Sequence, residues 1–136
     1  MIEKEIIILK NFSRIEPGAL KQQFVNVEEA LGTDLPKDYV AVMQEFNGGE
    51  GEIGDNSWLE LFPVEQLLKI NQEYHLLMEQ IPEYFLFGKD AADTGYALHK
   101  QNKTYHAFGL MSNFKFDIIE FCGNSFLEFL EFLDNA

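Results

Sequence analysis

Three short aromatic runs decide the fold: Tyr84-Phe85-Leu86-Phe87, Tyr96-Ala97-Leu98 and Tyr105-His106-Ala107-Phe108-Gly109-Leu110. Asp90 to Gly95 separates the first two, and Gln101-Asn102-Lys103 lies between the last two. Runs this short, rich in aromatic residues and divided by polar turn residues, read as strands of an antiparallel meander. Ile118 to Cys122 adds another strand, and Gly123-Asn124 turns the chain. Ser125 and Glu128 then form an S-x-x-E capping box for a last helix through Leu133. On that helix Glu128, Glu131 and Asp134 read as a solvated face opposite Leu127, Leu130 and Leu133.

Upstream of the meander the periodicity becomes helical. Leu20, Phe24, Val27 and Leu31 follow an i, i+4, i+7, i+11 stripe, and Gly32 suits the left-handed residue after the helix end. A second helix begins with Pro36 in its first turn and Asp38 complementing the dipole. Tyr39, Met43 and Phe46 make its stripe, and Asn47-Gly48 stops it. Trp58 to Phe62 has strand composition, Pro63 opens a helical segment from Val64 to about Met78, and the isoleucine run from Glu5 to Leu9 predicts a strand. No linker, low-complexity stretch or repeat interrupts this plan. The chain therefore reads as one α+β domain over residues 1–136, a twisted, mainly antiparallel sheet with packed helices.

A chain of 136 residues, 46% hydrophobic and with 13 phenylalanines, has the material for a core without disulfides or metal, since such a chain buries about two-thirds of its unfolded surface. Its 23 acidic side chains against 10 basic ones leave a net charge of −13. Phosphate neutralisation needs a basic face, so nucleic acid is excluded as a partner and a basic protein is favoured. The single cysteine, Cys122, allows no internal disulfide and reads as a buried small hydrophobe. The mixed-charge start and the short apolar run Ile6–Leu9 predict neither a signal peptide nor a membrane span, a mature chain starting near Met1, and a cytoplasmic location.

No motif carries chemistry. Gly49-Glu50-Gly51-Glu52-Ile53-Gly54 matches G-x-G-x-x-G, but it follows a helix and precedes a strand, and it puts two glutamates where phosphates would sit. Gly49, Gly51 and Gly54 are therefore expected to act as a structural loop, supplying positive-φ residues to a helix-to-strand turn. His75, His99 and His106 lack metal-ligand spacing, although His99 and His106 fall on adjacent strands. No serine sits in a G-x-S-x-G elbow. No catalytic residue, metal or cofactor is assigned.

Charge is distributed unevenly. Between Lys37 and Lys69 there is no basic residue, while Asp38, Glu45, Glu50, Glu52, Asp55, Glu60 and Glu65 all fall there. Glu45, Glu50, Glu52, Asp55 and Glu60 are the expected partner-facing residues, because no local base neutralises them.

The series Val27-Glu28-Glu29-Ala30-Leu31-Gly32, Leu35-Pro36-Lys37-Asp38-Tyr39 and Asn47-Gly48-Gly49-Glu50-Gly51 resembles the SUKH superfamily of yeast cell-wall (glucan) synthesis regulators and bacterial polymorphic-toxin immunity proteins. The resemblance continues through Leu61-Phe62-Pro63-Val64-Glu65-Gln66-Leu67, Asn71, Tyr74 and Phe87-Gly88, and closes with Gly123-Asn124-Ser125-Phe126-Leu127-Glu128-Phe129-Leu130. Gly49-Glu50-Gly51-Glu52 looks like the superfamily's G-x-G-[DE] signature. The chain departs from it at Ala91-Ala92-Asp93-Thr94, in place of a glycine-rich stretch, and at His99, in place of an aspartate. What the resemblance implies is a non-enzymatic α+β domain that binds a specific protein. In a bacterium that partner would be a cognate, nuclease-type toxin neutralised by stoichiometric binding. The alternatives are a regulatory or scaffold protein without a toxin partner, and a small-molecule binder or enzyme built on His99 and His106.

Overall fold

The computed structural model describes residues 1–136 and contains one sheet of seven strands. The strands are β1 (Ser13–Arg14), β2 (Gly49–Ile53), β3 (Ser57–Leu61), β4 (Tyr84–Lys89), β5 (Thr94–His99), β6 (Tyr105–Gly109) and β7 (Glu120–Gly123). They lie side by side in chain order, every neighbouring pair antiparallel. Six helices accompany them: α1 (Glu3–Ile8), α2 (Lys21–Leu31), α3 (Lys37–Glu45), α4 (Leu67–Glu73), α5 (His75–Met78) and α6 (Phe126–Asp134). No helix is long and apolar enough to cross a membrane.

Alternation along the strands sends one set of side chains to the helices and the other to the opposite, outer face. The inner set includes Leu59, Leu61, Phe85, Tyr96, Leu98 and Tyr105, all buried. It meets Tyr39 of α3 and Phe126, Phe129, Leu130 and Leu133 of α6, also buried. Phe87 is the aromatic hub, with ring centroids 5.9 Å from Tyr39, 5.7 Å from Tyr105 and 5.2 Å from Phe129, each edge to face. That geometry suits the ring quadrupole and adds to the area these rings bury.

Three polar side chains tie the layers together. Asp38 Oδ1 accepts from the Tyr39 N–H (2.8 Å) and the Tyr105 hydroxyl (3.1 Å), while Oδ2 accepts from the Phe126 N–H (2.7 Å). One carboxylate thus satisfies the first turn of α3, a strand hydroxyl and the first N–H of α6. Burial, and then the Asp38 charge beside it, push the pKa of the Tyr105 hydroxyl up, so it stays a donor. Asn47 accepts from the Val64 N–H (2.9 Å) and donates to Glu65 (2.6 Å), capping the 3-10 turn Val64–Gln66. Asn71 exchanges two 2.9 Å bonds with the backbone of Leu86, standing in for a neighbour strand where β3 has ended.

Several expectations are corrected. The Glu5–Leu9 run is helical and lies within and just beyond α1. Ile2, Ile6 and Leu9 turn toward the core at i, i+4, i+7 spacing while Ile7 stays exposed, so packing against α6 overrides β-branched propensity. The segment from Val64 to Met78 is broken into the 3-10 turn, α4 and α5. Its apolar residues Val64, Leu67 and Ile70 recur every three positions, a spacing that drifts around one continuous helix, and the breaks re-aim them. The last strand is Glu120–Gly123, leaving Ile118 outside it and exposed. The helix ends agree with expectation at Gly32, whose φ is +73°, and at Ser125, whose hydroxyl accepts from the Glu128 N–H at 3.1 Å. The Glu128 carboxylate reaches the Asn124 N–H, one residue earlier than a regular box requires.

The glycines are also placed differently. Gly49 and Gly51 belong to β2 itself; Gly49 has φ +143° and Gly54, in the following turn, +61°, whereas Gly51 is an ordinary strand residue. A Cβ at Gly51 would lie 2.7 Å from Asn11 O and 2.9 Å from Phe12 Cα, so its hydrogen lets the chain after α1 cross the inner face of β2.

Asp38→Ala leaves a buried hydroxyl and a helix N–H without their acceptor, and chemical denaturation should show a loss of about 2–4 kcal/mol, against about 1 kcal/mol for Tyr105→Phe. Equal, small losses would mean that Asp38 only decorates the helix start. Gly51→Ala presses on backbone and should cost about 2 kcal/mol or more. Gly32→Ala, with open space around it, should cost only the left-handed penalty of about 1–2 kcal/mol in the same measurement.

Candidate functional site

The β2–β3 hairpin builds the candidate surface. Its register pairs Glu50 with Glu60 and Glu52 with Trp58 around the turn Gly54-Asp55-Asn56. Alternation puts Gly49, Gly51 and Ile53 inside and Glu50 and Glu52 in solvent. Glu60 is half-buried on the same outer face, and Trp58 lies there too. Two carboxylates therefore stand directly opposite each other, with a third two residues along, an arrangement that costs the sheet stability.

No base is ion-paired with them. Lys89 is in register with Glu60 on β4, yet its amine donates to Asp90 O at 2.8 Å. The N-terminus contacts Glu3 and the His75 ring contacts Glu79, and no lysine or arginine side chain is in an ion pair. Beside Glu50 and Glu60 lies a shallow cavity of about 270 Å³, walled by Ser13, Ile15 and Pro63. The remaining two expected residues are elsewhere. Glu45 is the last residue of α3, outside the sheet, and Asp55 sits at the hairpin tip, lining a groove of about 470 Å³ with Lys10, Asn11 and Asp134. The sheet face thus brings together Glu50, Glu52 and Glu60 and leaves out Glu45 and Asp55. Trp58 and Lys89 join it, revealed by the β2–β3 register and the β3–β4 pairing respectively, neither of which sequence reading established.

The histidines meet on the same outer face, at the far side of the sheet. The His99 and His106 rings are 6.3 Å apart, with Tyr84 edge-on to both at 5.0 and 5.1 Å. His99 Nδ1 accepts from the Asn102 N–H, and His106 Nε2 shares a 2.7 Å hydrogen bond with the Thr104 hydroxyl. No group of three His, Cys, Asp or Glu side chains is arranged to hold a metal. The Cys122 thiol is buried and its pKa is pushed up to about 12, by burial first and by Glu120 second, so it is not a thiolate nucleophile near neutrality. His75 is on α5, beside Glu79 and away from the other two.

Burial, and then the charge of His99, hold the His106 pKa below its ordinary value. The unfolded chain therefore takes up this proton first as pH falls. The stabilisation is full above the unfolded pKa and is lost downward through the folded one. Melting temperature should fall as pH drops through and below the ordinary histidine range, about 6.5, and the fall should be smaller in His106→Gln. An unchanged slope in that variant would assign the acid sensitivity to other groups.

Among curated proteins none matches the sequence. A family model does match, over residues 18–131, from the loop before α2 almost to the end of α6. That span takes in the glutamate-bearing hairpin, the Asp38 hub and β4 to β7, and the chain belongs to the SMI1 / KNR4 family (SUKH-1).

Proposed function

We propose that this chain is an immunity protein, which neutralises a cognate, basic, nuclease-type toxin in the cytoplasm by stoichiometric binding and without turnover of its own. The family supports the coarser part, since SUKH proteins are known as immunity proteins and regulators. The observation that carries the finer part is the facing pair Glu50 and Glu60 with Glu52 beside them, held on the β2–β3 hairpin without an ion-paired base. Like charges kept opposite each other weaken the sheet, and a cationic partner would remove that penalty on docking. In a molecule of net charge −13, such a face also raises the encounter rate with a basic protein, an effect screened over about 8 Å at physiological salt. No cofactor, nucleic acid or membrane enters this reading.

The test is binding kinetics against the catalytic domain of the toxin-like protein encoded beside this chain's gene. Association should slow steeply with salt, Glu50→Lys with Glu52→Lys should lower the on-rate by about tenfold or more, and toxin inhibition should saturate at one equivalent. Reversing Glu128 and Glu131 on α6 should do less. On-rates indifferent to salt, or equal losses from the two pairs, would move recognition elsewhere. The absence of any toxin-like neighbour would favour a regulatory or scaffold role.

A further inference from the structure

Ten large apolar side chains are strongly exposed, and four of them fall within one stretch of sequence: Met111 (88%), Phe116 (83%), Ile118 (82%) and Phe121 (53%). The other six are scattered over the remaining elements, as single exposed apolar residues normally are. A concentration of this kind marks a contact surface or an aggregation liability.

The segment between β6 and β7 is tied down. Asp117 and Asn113 close it on itself, with the Asn113 N–H donating to Asp117 Oδ2 (2.8 Å) and the Asp117 N–H donating to Asn113 O (2.9 Å). Gln80 grips it from outside, donating to Ser112 O (3.2 Å) and accepting from the Phe114 N–H (3.0 Å). The Phe114 ring packs edge-on to Phe108 at 5.3 Å, filling the middle of the outer face. A loop that had merely failed to bury its apolar residues would not spend Phe114 on the sheet while leaving Phe116 in water. Holding the backbone of this segment in place beforehand lowers the ordering cost of a complex.

Charge specifies the occupant. Met111 and Ile118 wall a groove of about 400 Å³ whose other lining residues include Asp93 and Asp117. Neither aspartate is in an ion pair. Apolar walls with carboxylates alongside fit a lysine or arginine, whose alkyl stem packs on the walls while its head meets the acids. A second copy of this chain, also at −13, would be repelled.

We propose that the ordered 111–121 segment is the anchoring surface for a basic protein, which inserts apolar side chains flanked by lysine or arginine against Met111, Phe116, Ile118 and Phe121. This rests on the immunity reading and deepens it. Because Phe121 is in register with His106 on the outer face, this end of the anchor lies on the same side of the sheet as the glutamate hairpin, five strand spacings or roughly 24 Å from β2. The carboxylates then govern encounter and the apolar segment governs residence.

Two variants, Phe116→Ser and Ile118→Ser, test this, since both side chains are solvent-exposed and circular dichroism will verify the fold. Against the adjacent toxin domain each should raise the off-rate by about tenfold or more and leave the on-rate and its salt dependence near the native values. A second arm needs no toxin: synthetic peptides alternating Lys and Leu are titrated against the full chain by amide NMR, with Lys/Ser and Glu/Leu peptides as controls. The Lys/Leu peptide should shift amides of residues 109–121 and lose affinity for both variants, while the controls should not shift this segment. Shifts confined to Glu50, Glu52 and Glu60, or native off-rates in the variants, would overturn the proposal. So would self-association in sedimentation that Phe116→Ser abolishes, which would make a second copy the occupant. If the peptide arm succeeds while toxin binding fails, the immunity reading falls alone; the reverse outcome removes only the anchor.

Discussion

The carboxylate of Asp38 is the constraint on which the rest of the structure depends. It stands where α3 begins, α6 begins and β6 passes beneath them, and it accepts a hydrogen bond from each. Helix starts carry unpaired N–H groups and a partial positive charge, so a single anion between two of them satisfies both. The aromatic cluster of Tyr39, Phe87, Tyr105, Phe126 and Phe129 then packs at a geometry already set by this polar junction. Apolar burial supplies most of the energy, as in any domain of this size. What Asp38 adds is a directional polar link between the starts of α3, β6 and α6.

Much of this architecture was legible in the residues. The meander announces itself because β4, β5 and β6 are aromatic runs separated by short polar turns, and α2, α3 and α6 because their apolar stripes mark them, although Leu20, the first residue of the expected α2 stripe, stands before the helix and exposed. Reading failed where local preference and tertiary packing disagree. The isoleucines of α1 favour a strand in isolation, yet α6 offers a helical partner. The glycines of β2 suggest a turn, yet they thin a strand so that another segment can cross it. Asp38 looked like an ordinary dipole partner for α3, and nothing local points to Phe126, which lies 88 residues away. The same holds for the candidate site. Glu50 and Glu52 could be picked out as an unneutralised pair, but their alignment with Glu60, and the exclusion of Glu45 and Asp55, follow from register and topology alone.

The outer face divides into regions of different chemistry. At the β2–β3 end it is anionic, in the middle it is filled by Leu110 and Phe114 from the β6–β7 connection, and at β7 an apolar segment stands in solvent. Long-range fields act before contact and dispersion acts only at contact, so the two ends suit successive stages of one association. The inner face is committed to the helices and has no such freedom.

Strand order equal to chain order has a consequence for how the molecule forms. The hairpins β2–β3, β4–β5 and β5–β6 are joined by three to five residues and cost little loop-closure entropy, whereas 34 residues separate β1 from β2 and 22 separate β3 from β4. A bare meander, however, has no cover for Tyr96, Leu98 and Tyr105, and α6 has no base for its phenylalanines until the strands are in place. The contact between Asp38 and Phe126 spans nearly the whole sheet in sequence, and the assembled hairpins shorten that span before it closes. Local strand pairing and one distant clasp are thus mutually dependent: neither buries its apolar side chains without the other.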